Sequence, residues 1–387
     1  MNVDFTLNAS ETCDIEFSAT YDGCPSNILL RGEAVCGNST AVKPGRAHFS
    51  WDPAKAGLAD KSLPNLRIVA SDPVVASSRT YLVVNLVDGT HEYLADVPEG
   101  GWTDEHKTTK MVFRRIPAGS IRQGADYLSQ LWGFYVGDAL EQFCHYRQVE
   151  LTSDFYMAIF KLTCDQFIKL HSGAKDSGKA PYVWAPYNMV RGAAPTYNWP
   201  NTRFAVDPAS LAGTIRSRTG NRFLVDLPTE GQWEYAARAG VGAALPNGKS
   251  YSATNLKEVG YYSGADPTWG DGTKGAVRVV GLYAPNNWGL YDVIGNVMEM
   301  CLDRHRDKVD DYTGSFASGW QDGAVTVNPK GPEKLIKNCA FRGGGRVELE
   351  SYLRLGARVQ AMGMDYCYGA NACKGFRLFC SVEGAVR

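Results

Sequence analysis

The sequence predicts an α+β chain, with a small all-β sandwich and its linker over residues 1–105 and a loop-rich domain with few helices over residues 106–387. Three observations predict it. A length of 387 residues matches two domains when a domain takes about 100–200 residues. Forty-one Gly and 18 Pro stand beside 20 Tyr and 9 Trp, which points to tight turns packed on aromatic rings rather than to long helices. Through roughly the first 95 residues, apolar and polar residues alternate in short runs, the period of half-buried strands.

The strand runs of the first domain are Ile15–Tyr21, Ile28–Val35, Ala47–Trp51, Leu66–Ala70 and Tyr81–Val87. Their spacing reads as an antiparallel sandwich of the immunoglobulin kind. It holds no catalytic constellation, so presentation or docking is its expected role. Residues 96–109, rich in Gly, Glu, Asp and Lys, read as a linker.

Beyond it, Met111–Ile116 is strand-like and two helices announce themselves by capping boxes. In each, a Thr hydroxyl takes the amide three residues on, and a Gln at that position returns to the Thr amide. Thr163 and Gln166 open a helix to about Leu170; Thr229 and Gln232 open another that ends near Gly240 as its C-cap. Between them, residues 172–219 carry Pro181, Trp184, Pro186, Pro195, Trp199 and Pro200 and read as one long irregular stretch, either functional or packed filler.

Composition excludes several classes. With 44% hydrophobic and 21% charged residues the chain is globular rather than disordered or fibrous. Forty basic residues against 41 acidic ones leave a net charge of −1, so no nucleic-acid partner and no anionic membrane surface is expected. No apolar run reaches the ~18 residues a membrane span needs. The N-terminal residues lack a signal peptide's basic and apolar regions. The chain as written reads as cytoplasmic, or as secreted, cell-surface or phage-associated if a signal has been removed.

Ten cysteines contain no CxxC pair and no His at zinc spacing. Cys13, Cys24 and Cys36 leave one disulfide or buried free thiols as alternatives. The six histidines lack i, i+4 pairing and are expected to be solvated or core-satisfied residues.

Five segments in order carry a family resemblance: Phe155–Thr163, Leu227–Arg238, Asn287–Glu299, Phe341–Gly345 and Lys374–Leu378. Together they resemble the sulfatase-modifying-factor domain of formylglycine-generating enzymes, a variant of the C-type lectin fold, over about residues 108–382. In physical terms, Gly343–Gly345 provide positions without Cβ where chain segments cross, and Arg342 and Arg377 are expected to find buried partners.

The resemblance implies a calcium ion in the loop matching Asp292–Glu299, held by the carboxylates of Asp292 and Glu299 and the carbonyls of Gly295 and Val297. Hard oxygen donors on a tight turn suit that cation. The alternative is that Glu299 caps backbone amides and no metal binds. The family's oxidases hold copper with two cysteine thiolates after the Arg-Gly-Gly motif. Here those positions carry Glu348 and Leu353, while Gly345 and Met298 replace a Ser and a Trp of the oxygen pocket. Carboxylate and alkyl groups cannot supply the soft ligands that cuprous ion needs, so neither copper nor a catalytic role is expected. The iron-dependent sulfoxide synthases related to this family use a histidine-containing site, and the scattered histidines give no reason to expect iron.

What the resemblance leaves is a binding scaffold. One branch of the family comprises the variable proteins of diversity-generating retroelements, in which the segment between Arg-Gly-Gly and the final Gly-Phe-Arg is rewritten to change ligand binding. Here that segment is 346–374. The expected ligand face is Arg346, Glu348, Glu350, Tyr352, Arg354, Met362, Met364, Tyr366, Tyr368 and Asn371 with Trp184 and Trp199, presented to a protein or other macromolecular ligand. Tyr, Arg and Met favour such surfaces. The bland alternative is a drifted loop packed on its own body. The second function class, a modifying oxidoreductase with an altered site, stays open beside the binding reading.

Overall fold

The computed structural model describes residues 79–124, 147–173, 176–193, 196–197, 199, 205–262, 276–305, 325–330, 338–346, 352–359 and 374–381, and the backbone of six strands before residue 72. The chain forms two compact units, Met1–Thr80 with Tyr93–Asp96, and Tyr81–Glu92 with Val97–Arg387.

In the first unit the strands are β1 (Asn2–Leu7), β2 (Glu16–Thr20), β3 (Ile28–Leu30), β4 (Val35–Gly37), β5 (Gly45–Trp51) and β6 (Arg67–Ser71). They form two antiparallel sheets ordered β1-β5-β4 and β3-β2-β6. Four of the five alternating runs seen in the sequence are strands of these sheets. The fifth is not, because Tyr81–Asn85 belongs to the second unit, where it pairs antiparallel with Lys110–Ile116.

The second unit holds β7 (Tyr81–Asn85), the first two residues of β8 (His91–Leu94), β9 (Lys110–Ile116), β10 (Gly119–Gln123), β11 (Arg147–Leu151) and β12 (Phe155–Ala158). Among the described residues, five helices follow or interleave: α1 (Cys164–Leu170), α2 (Tyr187–Arg191), α3 (Leu211–Arg218), α4 (Glu230–Arg238) and α5 (Ala253–Leu256). The later strands are short: β13 (Val225–Asp226), β14 (Gly260–Tyr261), β15 (Ile294–Gly295), β16 (Met298–His305), β17 (Val325–Val327), β18 (Asn338–Arg342), β19 (Arg358–Val359), β20 (Lys374–Gly375) and β21 (Phe379–Ser381).

Among the described residues the two largest sheets of the unit position the site, beside the smaller β10-β11-β17 and β14-β15. One has the order β13-β21-β12-β9-β7-β8, the other β19-β18-β16-β20. The first is the scaffold: β7, β9 and β12 are buried along most of their length, with Leu82, Phe113 and Met157 fully enclosed. The second places the motif residues, since β16 runs antiparallel to β18, with Glu299 opposite Arg342, and parallel to β20, with Glu299 beside Gly375. Trp233, Ile294, Leu353 and Phe379 pack in the core. Each such side chain contributes about 1.5–3 kcal/mol by leaving water.

Both capping boxes form. The Thr163 hydroxyl accepts from the Gln166 amide at 3.1 Å and the Gln166 side chain accepts from the Thr163 amide at 3.1 Å; Thr229 and Gln232 exchange the same bonds at 3.2 and 2.9 Å. Helix α4 ends one residue before the expected cap: Ala239 itself takes the left-handed conformation, with φ 47°, and Gly240 follows at φ +83°. The stretch 172–219 is less irregular than its prolines imply. Pro186 stands at the start of α2, where a missing N–H costs nothing. Ser210 caps α3 by accepting the Gly213 amide at 3.1 Å.

The ends of α2 and α3 meet in a buried ion cluster. Arg191 grips Asp226 with Nε at 2.7 Å and Nη2 at 2.9 Å, a fork that a carboxylate fits, and Arg216 lies 3.6 Å from the same carboxylate. Four described cysteines, Cys164, Cys301, Cys339 and Cys380, are buried free thiols. Burial pushes the Cys164 thiol up to about 12 and raises Cys301 and Cys380 as well. Native protein treated with iodoacetamide at mildly alkaline pH is therefore expected to carry no label at these three positions and to gain it on unfolding. Peptide mass spectrometry that finds native Cys301 alkylated overturns this.

Candidate functional site

The site grows from one odd residue in an apolar run. In Phe155–Thr163, Ile159, Phe160 and Leu162 are all buried, and Lys161 between them is 0% exposed. An ammonium removed from water must be paired. Lys161 Nζ lies 2.8 Å from Glu299 Oε1 and donates to the Val297 carbonyl at 2.6 Å.

Glu299 stands at the head of β16 and is itself fully enclosed. Its Oε2 accepts from Trp233 Nε1 at 2.6 Å and from Arg377 Nε at 2.6 Å, while Oε1 accepts from Arg377 Nη2 at 2.7 Å. Arg377 donates further to the carbonyls of Ala158, Ile159 and Tyr291 at 3.0, 3.2 and 2.9 Å. Burial acts to raise the Glu299 carboxyl, but Arg377 and Lys161 outweigh it and hold the group at about 2. Burial pushes the Lys161 ammonium down from the lysine range, against the pull of Glu299.

The loop before Glu299 is locked by backbone. Asp292, at φ 51°, accepts the Gly281 amide and also that of Tyr283, and burial is the main cause that raises its carboxyl. Asn296, at φ 61°, exchanges hydrogen bonds with the Arg278 backbone at 3.0 and 2.9 Å. The Gly295 amide donates to the Gly343 carbonyl at 2.9 Å, and the Arg346 amide to the Asn296 carbonyl at 3.0 Å. The Asp292–Glu299 loop and the Arg-Gly-Gly-Gly segment are thus one interlocked unit.

Arg342 ties that unit to helix α4. It bonds the Glu234 carboxylate, donates to the carbonyls of Leu355 and Gly356 at 3.1 and 3.4 Å, and lies over the Trp233 ring at 5.4 Å. Gly343 and Gly344 both have positive φ, and a Cβ on Gly344 would meet Leu353 Cδ2 at 2.7 Å. Leu353 is therefore pressed into the core at 0% exposure, at one of the two positions where the resemblance calls for a copper-binding thiolate. An alkyl side chain sealed there leaves no donor, so the residues present do not fit copper. Glu348, the other position, lies outside the described residues.

The residues expected to hold calcium are brought together, but the oxygens of three of the four, Asp292, Val297 and Glu299, are already in use. The Val297 carbonyl and Glu299 face the Lys161 ammonium, and Asp292 faces backbone amides. The amide-capping role of Glu299 in the alternative reading is not what the structure shows, since the partners of Glu299 are the side chains of Lys161, Trp233 and Arg377. Sequence reasoning passed over Lys161; a single cation inside an apolar run was its one signal.

The expected ligand face divides. Arg346 and Arg354 are 6% and 5% exposed, and the Arg354 guanidinium lies 3.8 Å from the centre of the Tyr251 ring. Trp199 is 3% exposed, with its indole N–H donating to the Lys330 carbonyl at 2.8 Å. These three are packed inward, a correction with one physical reason: aromatic and guanidinium groups that favour interfaces favour interior stitching equally. Trp184 is half-buried and bonded to Asp176 at 2.6 Å, and Tyr352 is half-buried. Glu348, Glu350, Met362, Met364, Tyr366, Tyr368 and Asn371 lie outside the described residues.

With this geometry in place, comparison with known proteins places the chain. Residues 102–381 match the sulfatase-modifying factor enzyme 1-like domain, and the chain belongs to this family. It is 32% identical over 132 residues to the formylglycine-generating enzyme of Thermomonospora curvata, covering 33% of this chain and 40% of that protein. It is 34% identical over 136 residues to the inactive C-alpha-formylglycine-generating enzyme 2 of Bos taurus, covering 31% and 44%. The aligned stretches thus span less than half of either relative. Among solved structures, Treponema denticola variable protein 1 aligns over 71% of this chain and 96% of its own with 17% identity and a TM-score of 0.47. Among the described residues, no helix is long and apolar enough to cross a membrane.

Proposed function

We propose that this chain is a non-catalytic ligand-recognition protein, which presents a surface near residues 346–374 of a formylglycine-generating-enzyme-type scaffold to a protein or other macromolecular ligand. The observation that carries the reading is Leu353. The scaffold around it is kept, with Arg342, Glu299 and Arg377 all paired, while the position itself holds a core hydrocarbon. A binding protein needs the frame and not the oxygen chemistry. Tyr352 and Lys374, half-buried, lie in the segment that this reading assigns to the ligand face. In its finer form, a diversity-generating retroelement rewrites that segment. A reverse transcriptase gene beside this one, with an imperfect repeat of the codons for 342–377, is the mark expected of it.

Kinship with formylglycine-generating enzymes favours a second reading, an oxidoreductase acting on proteins through an altered site. Copper separates the two. The purified protein, titrated with cuprous ion against a chromogenic chelator, is expected to take none stoichiometrically and to consume no oxygen with a thiol-containing peptide. Stoichiometric copper with oxygen uptake would replace the binding reading by the second.

A further inference from the structure

We infer that the Lys161 ammonium is a built-in cation, standing in the loop 292–299 where the family resemblance implies calcium, and that this loop is held without any divalent ion. The inference is independent of the proposed function. Of the four expected ligands, the Val297 carbonyl lies 2.6 Å and Glu299 Oε1 2.8 Å from Lys161 Nζ. Calcium sits about 2.3–2.6 Å from its oxygens, so an ion bridging these two atoms would compete with the ammonium for the same two oxygens at about the same distance.

Charge gives the same answer. Lys161 and Arg377 supply two positive charges at this centre, and Glu299 and Asp292 two negative ones, all four buried. The centre is neutral as it stands. A divalent ion added to it would leave two uncompensated positive charges in a site without water contact, which is unfavourable. Lys161 is delivered there by the irregular segment that follows β12: the Tyr291 amide donates to the Ile159 carbonyl at 2.9 Å, which brings this run alongside the start of the loop.

Melting of the full-length protein in calcium and in chelator tests the inference. The wild type is expected to melt at one temperature in both, since a ligand that binds only the native state would raise it. Lys161→Gln keeps a donor but loses the charge. It is expected to melt below the wild type in chelator, to recover part of the loss in calcium, and to show terbium luminescence sensitised by Trp233, whose indole nitrogen is 2.6 Å from Glu299. A wild type that melts higher in calcium overturns the inference, as does a Lys161→Gln protein that melts like the wild type in chelator. Should Lys161→Gln fold in neither buffer, the wild-type comparison decides alone.

Discussion

Arg377→Ala is expected to cost about 3–5 kcal/mol of stability, because removing one partner of a buried ion pair leaves the other charge uncompensated. Domains hold only about 5–15 kcal/mol in total, so the variant should be recovered in low yield or with a denaturation midpoint far below the wild type. The guanidinium makes two bonds to Glu299 and three to backbone carbonyls of Ala158, Ile159 and Tyr291. Five acceptor atoms lose a charged donor at once in a place water does not reach, and Glu299 is left with Lys161 and Trp233. Arg377→Lys should rescue little, since an ammonium cannot reproduce the planar fork. Replacing Arg377 and Glu299 together by Leu and Met should not rescue the fold, because the buried Lys161 ammonium then loses its carboxylate. Urea titration of the three variants measures this. A midpoint for Arg377→Ala equal to that of the wild type would remove the Glu299 cluster as the fold's anchor.

The second large effect belongs to Gly343→Ala. Gly343 sits at φ +79°, and a Cβ there would lie 2.6 Å from the Val293 carbonyl oxygen and 3.2 Å from Trp233 Cζ2. The left-handed conformation costs an L residue about 1–2 kcal/mol, and overpacking a filled core adds about 1–3 kcal/mol. Backbone on one side and a pinned indole on the other leave no room to relax. Differential scanning calorimetry should show a fall of several degrees in the melting transition, while Gly240→Ala, where an added Cβ meets nothing within 4 Å, bears only the conformational cost. Equal shifts in the two variants would show that the close crossing at Gly343 carries no weight.

These two positions also show what a sequence can reveal. Gly343 and Arg377 stood out because a run of glycines and an arginine in a Gly-Phe-Arg segment have few structural uses, and Arg377 does find a buried partner while Gly343 does sit at a close crossing. The helix boxes at Thr163 and Thr229 were legible for the same reason: reciprocal capping is written within four residues. Helix α3 was not, since its Ser210 cap is followed by Leu-Ala-Gly-Thr with no Glu or Gln to close a box, inside a stretch dominated by Pro and Trp. The candidate site was half legible. Val297 and Glu299 do converge, but what they converge on is Lys161, more than a hundred residues upstream, while Asp292 turns to backbone amides. Long-range pairing of that kind leaves no local period. Trp199 and Arg354 misled for a different reason, because residue type alone does not separate an outward anchor from an inward stitch.

Strand β7 sets where this domain can be cut. The family match begins at residue 102, yet the sheet takes in Tyr81–Asn85, whose register along β9 runs from Arg114 to Lys110. A fragment started at 102 would lose that strand and bare the hydrogen-bonding edge of β9, an open invitation to pair with another copy. A fragment that begins before Tyr81 keeps the edge closed. The family's outline and the sheet's outline differ here by two strands, β7 and β8, and solubility follows the sheet.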